Sequence, residues 1–172
     1  MRYLLLVFII FFISCSETKD ISDLQIFKYN EISGINSLDP AFSKDLASVW
    51  ATSQLFNGLV QLDSNLIVQP SIAKSWTISS DKLEYEFLLK DNVFFHNSEK
   101  SNLDVGRKVS AYDFEYSFSR LLDDNIASPG RWVMSNVNGF NAVNDSVFLI
   151  KLKSKVFLTC QPLFFSITGS LI

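Results

Sequence analysis

The 172-residue chain carries 15 Lys and Arg against 18 Asp and Glu, a net charge of −3, so it offers no basic footprint for nucleic acid. Apolar residues make up 48% of it and 16 are phenylalanine, enough for a substantial core and too many for a disordered chain. With one histidine, His96, and two cysteines, Cys15 and Cys160, a single chain cannot assemble a zinc site from His and Cys alone.

The N-terminus reads first. Met1-Arg2 gives a positive start, Tyr3 to Ile13 is an unbroken apolar run, and Ser14-Cys15-Ser16 follows. A spanning helix needs about 20 apolar residues, so this shorter run predicts a secretory signal over 1–14. "FISC" (Phe12 to Cys15) resembles a bacterial lipobox, with phenylalanine where leucine is usual. Cleavage before Cys15 would make it the first residue and the site of acylation. Each buried methylene of an acyl chain contributes about 0.8 kcal/mol, so multiple chains hold a domain on a membrane without a spanning helix. Cys15 is therefore the expected lipid anchor, residues 15–23 a tether, and Cys160 is left without an intrachain disulfide partner.

"LQIFKYNE" (Leu24 to Glu31) alternates as a strand with mixed faces, which predicts burial on both sides. "SGINSLDP" (Ser33 to Pro40) is turn chemistry. Ser43 is placed to cap a helix running to about Asn57, with Leu46, Val49, Trp50, Ser53 and Phe56 on one face. "LVQLDSNLIV" predicts a hairpin about Asp63-Ser64-Asn65, and Gln69-Pro70 ends it. A short strand holding Trp76 and Ile78 turns at Ser79-Ser80-Asp81. Leu83, Tyr85, Phe87 and Leu89 then line one face of the next strand, opposite Glu84 and Glu86. "KLEYEFLLKDNVFFHN" (Lys82 to Asn97) is expected to fold back on itself at Asp91-Asn92 as a hairpin, with His96 a hydrogen-bonded edge residue. Residues 97–108 form a polar loop. Ser110 starts a second helix, with Asp113 as its capping-box acid and Ala111, Phe114, Phe118, Leu121 and Leu122 on its core face. "SPG" (Ser128 to Gly130) ends that region, and "SVFLIKLKS" (Ser146 to Ser154) is a last strand. Strands and helices intersperse without regular βαβ repetition, so the expected class is α+β, or mixed α/β.

The sequence holds no GxSxG elbow, no HExxH and no glycine-rich phosphate loop. Asp39, Asp45 and Asp113 sit among turns and caps, where carboxylates ordinarily bond the local backbone. These omissions argue against an enzyme, although spacing leaves open a hydrolase that needs only two carboxylates.

"LFNGLVQLDSNLIVQPSIAKSW", "SSDKLEYEFLLKDNVFFHN" and "VSAYDFEYSFSRLLD" together resemble, in order and spacing, the N-terminal lobe of the family 5 extracytoplasmic solute-binding proteins. These are the oligopeptide and dipeptide receptors of bacterial ABC importers. Pro70, Ala73, Ser75-Trp76, Asp81, Tyr85, Phe87, Val93, Phe95-His96, Ala111, Asp113, Tyr116, Phe118 and Arg120 carry the likeness, which covers about Leu24 to Leu152.

The resemblance implies one lobe, 24–155, of a two-lobed, class II-like periplasmic binding fold. It implies a non-catalytic, membrane-anchored receptor on the periplasmic or outer side that hands a peptide to a permease and ATPase. It implies no cofactor, although some members carry nickel or haem. The segment Ser37 to Asp45 is similar to one lining the ligand cleft, which nominates Asp39, Ser43 and Asp45 as ligand contacts; their local alternative is turn and cap formation. In peptide-binding members the acid pairing with the peptide's amino terminus lies in the second lobe. Members are roughly three times this long, and the uncharged tail 156–172 departs from their pattern, so the expectation is a chain truncated or shifted in frame near Lys155. An alternative reading is a structural or adhesive surface lipoprotein using the lobe as an interaction module.

Overall fold

A computed structural model describes residues 28, 30–96 and 106–155 of the chain. The predicted signal and tether, Cys15, all but the end of the Leu24–Glu31 strand, the loop to residue 105 and the tail 156–172 lie outside the described residues.

The main sheet has four antiparallel strands in the order β3-β4-β6-β5: β3 (Ala73–Ile78), β4 (Glu84–Leu89), β6 (Val147–Leu152) and β5 (Val137–Asn144). A separate two-stranded hairpin, β1 (Val60–Leu62) and β2 (Val68–Pro70), precedes it. Its loop is held by Asp63, whose carboxylate accepts from the Asn65 N–H at 2.8 Å, the Ile67 N–H at 2.9 Å and the Gln69 amide at 3.1 Å. That pattern explains why the Asp63-Ser64-Asn65 turn was legible.

β4 alternates as expected. Tyr85, Phe87 and Leu89 are buried, while Glu86 is exposed and Glu84 pairs with Lys151 of the neighbouring strand at 2.8 Å. β6 buries Phe148, Ile150 and Leu152 on the same side of the sheet. Helix α2 (Ala111–Leu122) lies on this face, burying Ala111, Phe114, Phe118 and Leu121. Leu122, expected on that face, is 38% exposed. The rings of Phe118 and Phe148 meet edge-on at 5.3 Å, and Phe118 meets Phe140 similarly at 5.4 Å, the geometry the aromatic quadrupole favours. Asp113 accepts from the Ser110 N–H at 2.8 Å and from its hydroxyl at 3.1 Å, so the predicted acid does close the N-terminus of α2.

Two expectations are corrected, and one strand is added. The stretch 82–97 is not a hairpin: β4 pairs with β3 and β6, and the chain beyond Asn92 pairs instead with 107–109. The Phe95 N–H donates to the Arg107 carbonyl at 2.9 Å, and the Val109 N–H to that of Val93 at 3.0 Å. Turn residues announced a reversal, but the strand taking the centre of the sheet arrives about 60 residues later, a distance that local patterning cannot span.

The second correction concerns the first helix, α1, which spans Leu46–Leu55 and is capped by Asp45, not Ser43. It buries Ala47, Ser48 and Thr52, and exposes Leu46 (73%) and Trp50 (56%). The apolar face is the outward one. The added strand is β5, which alternation in the sequence does not announce. Its register shifts between Val137 and Gly139 and again between Ala142 and Asn144, and each bulge resets the two-residue alternation that would have revealed it.

Candidate functional site

The residues nominated as ligand contacts lie on one stretch, Asn36 to Asp45, that leads into α1. Of Ile35 to Ser43 only Ala41 is buried; Leu38 and Phe42 are exposed. A 3-10 turn, Pro40–Phe42, begins where Asp39 accepts from the Ala41 N–H at 3.0 Å, with Pro40 fixing the first φ.

Polar contacts run through this stretch without a break. The Asp39 N–H donates to Ser37 Oγ at 3.0 Å, and the Ser37 N–H to Ser48 Oγ at 3.4 Å. The Ser48 hydroxyl donates to Asp45 Oδ2 at 3.1 Å, and the Asn36 amide donates to the same oxygen at 3.0 Å. Asp45 Oδ1 takes the Ser48 N–H at 2.9 Å as the cap of α1. The Ser43 hydroxyl faces the Asp39 carbonyl at 3.3 Å and Thr52 Oγ1 at 3.5 Å. The buried hydroxyls of Ser48 and Thr52 are thus the helix's inward face, and Thr52 also bonds back to the Ser48 carbonyl at 2.9 Å. Asp39, Ser43 and Asp45 therefore belong to one network, each engaged with its own segment.

Among the described residues, two long-range polar contacts fasten the stretch to the rest of the fold. Arg120, in the last turn of α2, grips Asp39 with both guanidinium nitrogens, Nη1 to Oδ1 at 3.0 Å and Nη2 to Oδ2 at 2.6 Å. Ser128, 5% exposed, donates its hydroxyl to the Ala41 carbonyl at 2.6 Å and accepts from the Gly130 N–H at 3.1 Å. Neither partner was singled out as a site residue from sequence. Arg120 lies in the "VSAYDFEYSFSRLLD" motif and Ser128 in the helix-breaking "SPG", and separations of 81 and 87 residues leave no local signal of either bond.

The Arg120 fork holds the Asp39 carboxyl below its ordinary range, against the upward push of partial burial. The Asn36 amide and the Ser48 N–H do the same for Asp45. For Asp113, burial pushes upward, but the Arg107 pair and the bonds from Ser110 outweigh it and the carboxyl stays lowered. These groups stay charged at neutral pH, suited to holding shape and accepting donors and unsuited to giving up protons. Among the described residues no cluster of His, Cys, Asp and Glu could hold a metal ion, and His96 is an exposed residue beside the 93–95 pairing. No described helix is long and apolar enough to cross a membrane.

Residues 68–172 match the family model described as bacterial extracellular solute-binding proteins, family 5 Middle. The chain is 32% identical over 111 residues to the periplasmic murein peptide-binding protein MppA of Escherichia coli, covering 63% of this chain and 19% of that protein. It is 32% identical over 109 residues to a dipeptide-binding protein of Lactococcus lactis, with 63% and 18% covered. The fold superimposes on the periplasmic binding protein DppA from Helicobacter pylori in complex with the peptide STSA, with a TM-score of 0.65 and 27% identity. That likeness covers 78% of this chain and 28% of the other. The chain thus spans about a fifth of the length of these curated relatives.

Proposed function

The chain belongs to family 5 of the bacterial extracellular solute-binding proteins, and from that premise we propose that it supplies part of the peptide-binding component of an ABC-type importer. The observation carrying this reading is the shared fold and identity with relatives that are named for peptide binding, one of them solved with a peptide bound. In this reading the stretch Asn36–Asp45, with Asp39, Ser43 and Asp45, forms one wall of the ligand site. The peptide lies extended along it, and specificity comes from side-chain pockets completed by the rest of the family fold. Binding and release is the whole of the chemistry; no bond in the ligand is broken.

Residues 1–14 act as a lipoprotein signal and Cys15 as the acylated anchor, so the domain sits on the outer side of a bacterial membrane beside its permease, with the ATPase on the inner side. The apolar run followed by "FISC" supports this. Labelling with a radioactive fatty acid is expected to mark the wild type and not Cys15→Ala; label on both removes the anchor from the reading.

A chimera tests the ligand assignment. This chain's Asn36–Leu152 replaces the corresponding stretch of the E. coli relative, and a mixed di- to pentapeptide pool is titrated calorimetrically. Heat of binding is expected. A folded chimera silent across the pool overturns the proposal. The 172-residue chain by itself is expected to bind the pool more weakly than micromolar.

A further inference from the structure

Along Ile35–Ser43 only Ala41 packs into the core and the other residues are half-buried or exposed, so apolar packing holds the stretch at one point and polar bonds must do the rest. Its two fastenings to the sheet-and-helix body are polar and distant in sequence: the forked Asp39–Arg120 pair and the Ser128 hydroxyl on the Ala41 carbonyl. They act on opposite sides of Pro40, one on a side chain and one on the backbone. Ser128 is itself held: it is buried, its hydroxyl accepts from the Gly130 N–H, and Pro129 after it restricts its backbone to the extended region.

The bonding of Asp39 limits its own role. Its Oδ1 already accepts from Arg120 and from the Ala41 N–H, and its Oδ2 from Arg120, so little acceptor capacity is left for a ligand. We propose that Arg120 and Ser128 are positioning residues, which hold Asp39–Phe42 in one conformation so that the Asn36–Asp45 wall meets its ligand preformed. The benefit is to binding, since a wall ordered beforehand need not be ordered by the peptide. This inference rests on the reading of that stretch as ligand-facing.

Amide hydrogen exchange on the 172-residue chain tests it, with the β4 and β6 amides as internal reference. Arg120→Ala is expected to speed exchange at Ala41, Phe42 and Ser43 on the order of ten-fold, the loss of a charge-assisted pair, with the sheet unchanged. Ser128→Ala is expected to act on the same amides. Arg120→Lys keeps the charge and loses the fork, and is expected to fall between wild type and Arg120→Ala. Unchanged exchange in Arg120→Ala, or equal acceleration across β4 and β6, overturns the proposal.

The peptide pool at millimolar concentration forms a second arm. It is expected to slow exchange over 36–45 in the wild type and to do so less in Arg120→Ala. Equal slowing in both overturns the positioning role. No slowing in the wild type sinks the ligand-facing reading and the positioning role with it, while the fastening itself is judged by the first arm alone.

Discussion

The two helices are built on opposite plans. α2 buries Phe114, Phe118 and Leu121 and turns Tyr112, Tyr116 and Ser119 outward, as an amphipathic helix on its own core should. α1 buries Ala47, Ser48 and Thr52 and turns Leu46, Val49 and Trp50 outward. α2 is held by aromatic packing and α1 by hydroxyl and carboxylate bonds through its inward face. The difference teaches that an apolar stripe marks a face that wants covering, and does not say that the same stretch of chain covers it. In α1 the stripe faces solvent, together with nearby Leu38 and Phe42.

The largest expected effect sharpens that contrast. Phe118→Ala removes a fully buried ring from the Phe140 and Phe148 contacts and should cost about 3–5 kcal/mol by urea titration. Trp50→Ala in α1 should stay within about 0.5 kcal/mol; equal costs would break the comparison. Next comes the capping acid of α2. Asp113→Ala should cost about 1–2 kcal/mol at neutral pH. Because the folded Asp113 pKa is lowered, its contribution is full above about pH 5 and lost as pH falls through the lowered value. Acid titrations of wild type and variant should therefore converge at low pH, and curves that stay parallel would refute the assignment.

A smaller loss is expected from the polar face of α1. Thr52→Val keeps the shape and deletes the hydroxyl bonded to the Ser48 carbonyl, at about 1 kcal/mol in thermal or urea melts. Smallest in stability is Leu46→Lys with Trp50→Glu, which should leave the melting temperature nearly unchanged and reduce binding of an apolar fluorescent dye. Undiminished dye binding would show that the exposed face of α1 is not the dye's site.

Much of the architecture was legible. Phe114, Phe118, Tyr85 and Phe87 declared their faces because helix and strand periods survive wherever the chain packs on its own core. Asp63 and Asp113 declared turn and cap because each acts within a few residues of itself. β5 was hidden by its two bulges, and the direction of α1 by a stripe whose cover is not among the described residues. Asp39, Ser43 and Asp45 are legible as neighbours on one turn-and-cap segment, but the fastening at Arg120 and Ser128 lies beyond the reach of spacing, since both bonds join residues more than eighty positions apart.

The place of β4 also sets a timetable. β3 and β4 can pair as soon as both are made, but the other edge of β4 stays open until β6, roughly 60 residues later, which at ~5–20 residues per second is ~3–12 s of synthesis. Through that interval the edge of "EYEFLL" that β6 later takes has no partner from this sheet. A sheet completed so late leaves a strand edge open to pairing with another chain for as long as it waits.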